Sequence, residues 1–334
     1  MNAQKMTKIA IIGAGLSALS IAHLLKDQAR ITLFDKARGV SGRMSTRRAS
    51  PYCFDHGAQY FTARTAAFQS FIQPLIRSCL IDRWNARYVK FDGEKIIERK
   101  DWKNHEPRYV GVPGMNAVAK HLADGLTIHL KTKITSLQRN LDGKWQMLDE
   151  SGSVHGDFNW VISTAPSPQA VELLPTTFQY HDYMRGIEMR PCFSLMLGFS
   201  EALPIEFDAA HVTNADVSWM AANSSKPGRP HPFTLVIHSS EPYAEAHLGL
   251  DRDIIAKHLC AETSRIIGLD VATADFKAVH GWHYANNAKR EPHQVLLDRV
   301  NKLAACGDWC QGGRVEGAFT SAVNLVEMMK ENSL

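Results

Sequence analysis

Long apolar runs are missing from the 334-residue chain. The first one, Ile9-Ala10-Ile11-Ile12, stops at Gly13. It is too short for a membrane span or for the apolar stretch of a signal peptide, and none further on is long enough. Cysteine is sparse. Cys53, Cys79, Cys192, Cys260, Cys306 and Cys310 are too scattered for a disulfide framework. Cys306 and Cys310 form neither a CxxC redox pair nor half of a recognisable zinc site. The 15 histidines fall in no HExxH or other compact ligand pattern, so no metal is expected. Charge of one sign is also lacking. The net value is +4 and the basic residues are mostly scattered, which excludes the dense stripe of a duplex binder. Internal repeats and low-complexity tracts are absent. These absences lead to the expectation of a cytoplasmic protein with no metal, no nucleic-acid partner and no membrane attachment, as a monomer or homodimer.

What is present is enough apolar residue, 45% of the chain, for two cores. Lys8 to Ile12 reads as a short buried strand, Leu16 to Leu25 as a helix with an apolar face, and Arg30 to Phe34 as a second strand. Between the first two lies Gly13-Ala14-Gly15-Leu16-Ser17-Ala18, a GxGxxA turn. Gly13 permits the tight turn, Gly15 lets the backbone approach a pyrophosphate, and Ala18 keeps the helix close to the sheet. The helix N-terminus offers unpaired N–H groups to phosphate. Asp35 follows Gly15 by 20 residues at the end of the next strand, placed to accept from a ribose hydroxyl. A lone GxGxxA is common. Strand, turn, helix, strand and carboxylate in register predict a dinucleotide site of the Rossmann type, without deciding between FAD and NAD. The densest basic run, Arg43-Met44-Ser45-Thr46-Arg47-Arg48, adjoins that site.

Further along, Ile128 to Leu130, Ile134 to Leu137, Trp145 to Leu148 and Trp160 to Thr164 are strand-like, with turn formers between them. From about 170 to 295 the texture changes. Phe193 to Phe199 and Phe233 to Ile237 suggest a mostly antiparallel sheet, Arg252 to Ile267 a helix, and the proline-rich 226–232 a loop. Nucleotide-fold character returns at Leu303 to Asp308, followed by a glycine-rich turn and a helix starting near Gly317. The expected fold class is α/β. Residues 1–64, 111–169 and 296–334 make a discontinuous nucleotide-binding domain, and 65–110 and 170–295 an inserted substrate domain.

The stretch from Asp35-Lys36-Ala37-Arg38-Gly39 to Gly42-Arg43-Met44, and Asp55-His56-Gly57-Ala58-Gln59-Tyr60-Phe61, resemble the segments that follow the first dinucleotide motif in flavin amine oxidases. Cys306-Gly307-Asp308-Trp309 resembles the closing Gly-Asp motif of that superfamily. The resemblance implies non-covalent FAD, with Arg43 beside the pyrophosphate, the Gln59 turn bordering the ring and Asp308 near the ribityl or phosphate region. Gly13, Ala14, Gly15, Ala18, Asp35, Lys36, Arg43, Gly57, Ala58, Ile134, Asp308 and Val315 are the cofactor candidates. No second GxGxxG and no CxxxxC occur, which argues against the disulfide-reductase plan. Within the superfamily the chain is most similar to the bacterial renalases. Tyr109-Val110-Gly111-Val112-Pro113-Gly114-Met115, Ser218-Trp219-Met220-Ala221-Ala222-Asn223-Ser224-Ser225-Lys226-Pro227, Ile237-His238, Trp282-His283-Tyr284-Ala285 and Gly313-Arg314-Val315-Glu316-Gly317-Ala318 carry that likeness. Ser41, where relatives often have a further glycine, and His56 depart from it.

The renalase resemblance implies oxidation of 2- and 6-dihydro isomers of NAD(P), with hydride passing to flavin and then to O2, giving NAD(P)+ and hydrogen peroxide. Gln59, Tyr60, Asn223, His238, Trp282 and Arg314 are the implied substrate contacts. Several have a plain structural reading: Tyr60 and Trp282 as core aromatics, His238 as a structural hydrogen bonder, Gln59 as a turn residue and, among the cofactor candidates, Arg43 as a solvated charge and Asp308 as a helix cap. An amine or polyamine oxidase would share the same flavin domain, and the inserted region shows no acidic cluster of the kind a polyamine site needs. A non-catalytic flavin-binding scaffold is the third reading.

Overall fold

The computed structural model describes residues 6–288 and 295–331. The chain forms two compact units, one from Met1–Gly42, Ala119–Met189 and Asn286–Leu334, the other from Arg43–Val118 and Arg190–Ala285. These bounds differ from the expected ones. Residues 43–64 and 111–118 fold with the second unit, because Tyr109–Gly111 pairs with Ile81–Arg83 and the ring of Tyr52 occupies the space a side chain at Gly198 would need. Residues 170–189 fold with the first, because Ala170, Leu174, Phe178, Met184 and Ile187 share one apolar core with Leu296, Leu303 and Trp309.

The first unit is built on a six-stranded sheet. Its order is Leu296–Asp298, Leu303–Ala305, Trp160–Ser163, Thr7–Ile12, Ala29–Phe34, Thr127–His129. All pairings are parallel except that between Leu296–Asp298 and Leu303–Ala305. Ile9, Ala10 and Ile11 are wholly buried, as a central parallel strand covered on both faces requires. The helix Leu16–Leu25 is buried on most of its circumference, more than a single apolar face. Its Ser17 Oγ donates to the Ala318 carbonyl (2.8 Å) of the C-terminal helix Val315–Lys330. A three-stranded antiparallel meander, Ile134–Arg139, Trp145–Asp149 and Val154–Phe158, contributes Trp145, Met147 and Phe158 to the core around Phe34.

The second unit centres on a seven-stranded sheet. Its order is Phe276–Asn287, Met189–Phe199, Phe233–Ser239, Val217–Ala222, Ala209–Thr213, Arg87–Asp92, Lys95–Asp101. Its described pairings are antiparallel except for Ala209–Thr213 on Arg87–Asp92. Side chains alternate between its faces apart from irregularities at Val217/Trp219 and Lys90/Phe91. Leu195, Leu197, Leu235, Ile237 and Met220 lie in one core with Ile255, Leu259 and Ile266 of the helix Arg252–Ile267. That helix spans the expected residues, capped by Asp251 and closed by Gly268 in the left-handed region. Met196 and Val236, on the opposite face, pack with Phe54. By register this second face also carries His238 and its cross-strand neighbour Trp219.

Gly13 in the nucleotide turn and Ser41 in the loop packed against it hold left-handed backbone. Gly13 (φ +112°) has no room for a side chain, since a Cβ would meet Thr164 Oγ1 at 2.3 Å. Ser41 stands at φ +118°, buried, with its N–H donating to the Ala14 carbonyl at 2.9 Å. A side chain there is strained by about 1–3 kcal/mol. Ser41→Gly should therefore stabilise the protein by about 1 kcal/mol after glycine's extra unfolded-state entropy is deducted, raising the thermal midpoint by a few degrees. An unchanged or lower midpoint in calorimetry would show that the Ser41 backbone is not strained.

Candidate active site

The nucleotide end of the first unit is arranged for a phosphate. Gly15 is the N-cap of Leu16–Leu25 and supplies no side-chain cap. A Cβ on Gly15 would point at the Gly42 backbone, 3.9 Å away. Bare backbone at a helix N-terminus suits an anion. Asp35 does more than the sequence implies. Its Oδ2 accepts from Ala14 N (2.7 Å) and its Oδ1 from Ala37 N (2.8 Å), so one carboxylate ties the glycine turn to the loop after the second strand. Ala14 and Ala18 are buried, and Lys36 is exposed beside the loop. Ile134 opens its strand with the side chain in the core.

Asp308 begins a 3-10 turn, Asp308–Gln311, and its carbonyl accepts from Gly313 N. The C-terminal helix begins at Val315, two residues before the expected start, with exposed Arg314 as its N-cap at φ +74°. The glycine turn, bare helix end and Asp35 fit the pyrophosphate and ribose of a dinucleotide.

In the second unit the turn 55–60 lies over a buried charged network. Asp55, Lys226 and Arg229 have wholly buried side chains. Asp55 accepts from Arg229 Nη2 (2.5 Å) and Nε (3.2 Å), Lys226 Nζ (3.4 Å), Thr46 Oγ1 (2.7 Å) and Met115 N (3.0 Å). Burial pushes its pKa up, but Lys226, Arg229 and the Met115 N–H outweigh burial, and the net shift is downward. Lys226 also donates to Gln59 Oε1 and Asn223 Oδ1, both at 3.1 Å, and lies 5.2 Å from the Trp84 ring centre. Burial brings its pKa down to about 8, with Asp55 resisting and Arg229 assisting. Two cations face one carboxylate here.

That network holds the turn rigid. Gln59 Nε2 donates to the carbonyls of Asp55 (2.5 Å) and Gly57 (3.0 Å). Asn223 Nδ2 donates to the Cys53 carbonyl and its Oδ1 accepts from Asp55 N. Gln59 and Asn223 are thus brought together with their amides engaged inside the protein. His238 Nε2 sits 3.3 Å from Gln59 Nε2. Burial first, then Lys226 and His56, lowers the His238 pKa to about 3, so the ring is neutral in ordinary buffers. Gly57 has no room for a Cβ, which would fall 1.9 Å from the Arg43 carbonyl, and Ala58 N donates to that same carbonyl. Arg43 Nη1 donates to the Ala285 carbonyl.

Trp282 donates to the His56 carbonyl and stacks on the His56 ring at 5.4 Å. Burial holds the His56 pKa down at about 4. Tyr60, partly buried, belongs to an aromatic group with Trp102 and Trp219. Sequence reasoning gave no role to Lys226, which stood only in the renalase-like stretch 218–227, or to Arg229, which read as a loop residue. Their partner Asp55 is 171 and 174 positions away, and no local pattern connects them.

Residues 92–328 match the family of flavin containing amine oxidoreductases, and residues 11–75 match the NAD(P)-binding Rossmann-like domain. The chain belongs to the flavin containing amine oxidoreductases, has their FAD-binding fold, and is a flavin-dependent oxidoreductase. Among individual proteins it is similar to renalase of Mus musculus, 23% identical with 97% of this chain and 99% of the mouse protein covered. In fold it is similar to a candidate protoporphyrinogen oxidase from Exiguobacterium sp. 255-15, with a TM-score of 0.78 at 14% identity over 98% of this chain and 100% of that one. A variant of putrescine oxidase redesigned in cofactor binding gives a TM-score of 0.71 at 12% identity, over 98% and 100%. Among the described residues no helix is long and apolar enough to cross a membrane, and no group of His, Cys, Asp or Glu is arranged to hold a metal.

Asp55→Asn leaves two buried cations without their counter-charge and should cost about 3–5 kcal/mol. Urea unfolding of the two proteins measures this, and a loss below about 1 kcal/mol would contradict the network. Lys226 predicts a pH effect. Between about pH 8 and its ordinary value of 10.5 the folded protein holds less of this proton than the unfolded chain does, so its contribution to stability rises with pH. The stability difference between parent and Lys226→Met should move in the parent's favour across that window. A flat difference would mean that Lys226 titrates normally.

Proposed function

We propose that the protein oxidises 2- and 6-dihydro isomers of NAD(P), with FAD held non-covalently. The observation that carries this reading is the charge balance under the 55–60 turn. The one carboxylate of that network, Asp55, is engaged by Lys226 and Arg229, and the Arg108 guanidinium already covers Trp102 at 4.0 Å. An ammonium substrate would need a free carboxylate or an uncovered aromatic face, whereas a flat ring carrying phosphates suits a site with surplus positive charge. The match to mouse renalase over nearly the whole of both chains supports the same substrate class. FAD supplies hydride acceptance and reoxidation by O2, yielding NAD(P)+ and hydrogen peroxide.

The protein's part is placement. Aromatisation of the pyridine drives hydride departure and no proton need be removed first, in keeping with a His238 that stays neutral. Lys226, through Gln59 Oε1, fixes the turn that presents Tyr60. Arg314, exposed ahead of the C-terminal helix, is available to a carboxamide or phosphate oxygen. The six cysteines are all free thiols, in keeping with a reducing compartment such as the cytoplasm.

Amine oxidation is the second reading, favoured by the substrates for which the family is named and by the likeness to putrescine oxidase. Anaerobic mixing of the oxidised holoenzyme with purified dihydronicotinamide isomers and with amines separates the two. Fast bleaching by the 2- and 6-dihydro isomers is expected. The 4-dihydro isomer should be slower by about a hundredfold or more, because a displacement of about 1 Å in the donor carbon costs that much. Bleaching by amines alone would overturn the proposal in favour of the second reading. Bleaching by none would favour a binding scaffold.

A further inference from the structure

Among the buried side-chain donors of the second unit that meet no acceptor among the described residues, Arg108 Nε and Trp219 Nε1 lie around one group of rings. Both border the same aromatic pair. The Trp219 ring lies 5.8 Å from Tyr60 and 6.3 Å from Trp102, and the Arg108 guanidinium carbon lies 5.8 Å and 4.0 Å from those same two rings. The neighbourhood is otherwise provided for. Trp84 Nε1 donates to Ser225 Oγ, and Arg108 Nη1 donates to the Glu106 carbonyl. The Glu106 carboxylate is turned to Arg64 at 3.1 Å. An N–H withdrawn from water without a partner carries a desolvation penalty, so two around one aromatic pair mark a place where an acceptor is to arrive. Trp219 is also the cross-strand neighbour of His238, so the pair lies on the sheet face that carries the charged network.

We propose that Arg108 and Trp219 form a subsite that receives an oxygen acceptor of the substrate, either the carboxamide carbonyl of a nicotinamide ring or a phosphate oxygen, with Tyr60 and Trp102 as its aromatic wall. The assignment rests on the dihydronicotinamide reading above and names the residues that would select that class. An arginine N–H and an indole N–H around the same rings suit a carbonyl or phosphoryl oxygen, and the guanidinium repels an ammonium group. The subsite therefore discriminates against amines as well as recognising dinucleotides.

Calorimetric titration of the holoenzyme with NAD+ and, separately, with nicotinamide tests this without any turnover. Trp219→Phe removes the N–H and keeps the ring, and Arg108→Lys keeps the charge and removes the fork. Each should weaken binding by about five- to tenfold, the loss of one or two hydrogen bonds, with flavin content and far-ultraviolet dichroism unchanged. Weaker binding of both ligands assigns the carboxamide, and weaker binding of NAD+ alone assigns a phosphate. Equal affinities in parent and both variants, or no binding of either ligand to the parent, would overturn the subsite. A variant that loses flavin is set aside in favour of the other. Failure of the substrate reading itself shows elsewhere, as absence of bleaching by the dihydro isomers in the unsubstituted enzyme.

Discussion

A single buried carboxylate organises the second unit. Asp55 lies in the interior where an isolated charge would be prohibitive, and it is tolerated because five donors surround it. Those donors come from three separate stretches of chain, around 46, 115 and 226–229. The same network reaches Gln59 through Lys226 and Asn223 through both Lys226 and the Asp55 N–H. A rearrangement at any member leaves another buried polar group unsatisfied. The 55–60 turn is accordingly held by charge pairing and hydrogen bonds more than by apolar packing.

The arrangement also bears on what Gln59 and Asn223 can do. Residues in which every amide atom is bonded to the fold are suited to hold a surface in place. Tyr60, with its half-buried ring, and Trp219 and Arg108, with unmet donors, are the ones suited to meet something that arrives. In the proposed function the first group sets the geometry and the second reads the substrate.

The part of the fold legible in the sequence is the part whose determinants are close together. Thr7–Ile12, the glycine turn, Leu16–Leu25 and Asp35 fall within thirty residues, and each local requirement reinforces the next. The helix Arg252–Ile267 carries its own caps. Val154–Phe158 was not legible, since His155, Gly156 and Asp157 are weak strand formers. It is held by pairing with Trp145–Asp149, while Asp157 accepts from Asn140 and Gln146. The hairpin Arg87–Asp92 and Lys95–Asp101 does carry a local sign, Asp92-Gly93 at its turn. The charged network carries none, because its members meet only after both segments of the second unit have come together.

Both units are assembled from pieces far apart along the chain, and this bears on how the protein is made. The sheet of the first unit places Thr7–Ile12 two strands away from Leu303–Ala305, residues far apart along the chain. The second needs Arg87–Asp92 to wait for Ala209–Thr213 before their parallel pairing can form. Neither sheet can close until distant segments have met, so Ile9 to Ile11 lack one sheet neighbour until Trp160–Ser163 is in place. Slow, non-local folding of that kind leaves a nascent chain dependent on chaperones and exposed to aggregation.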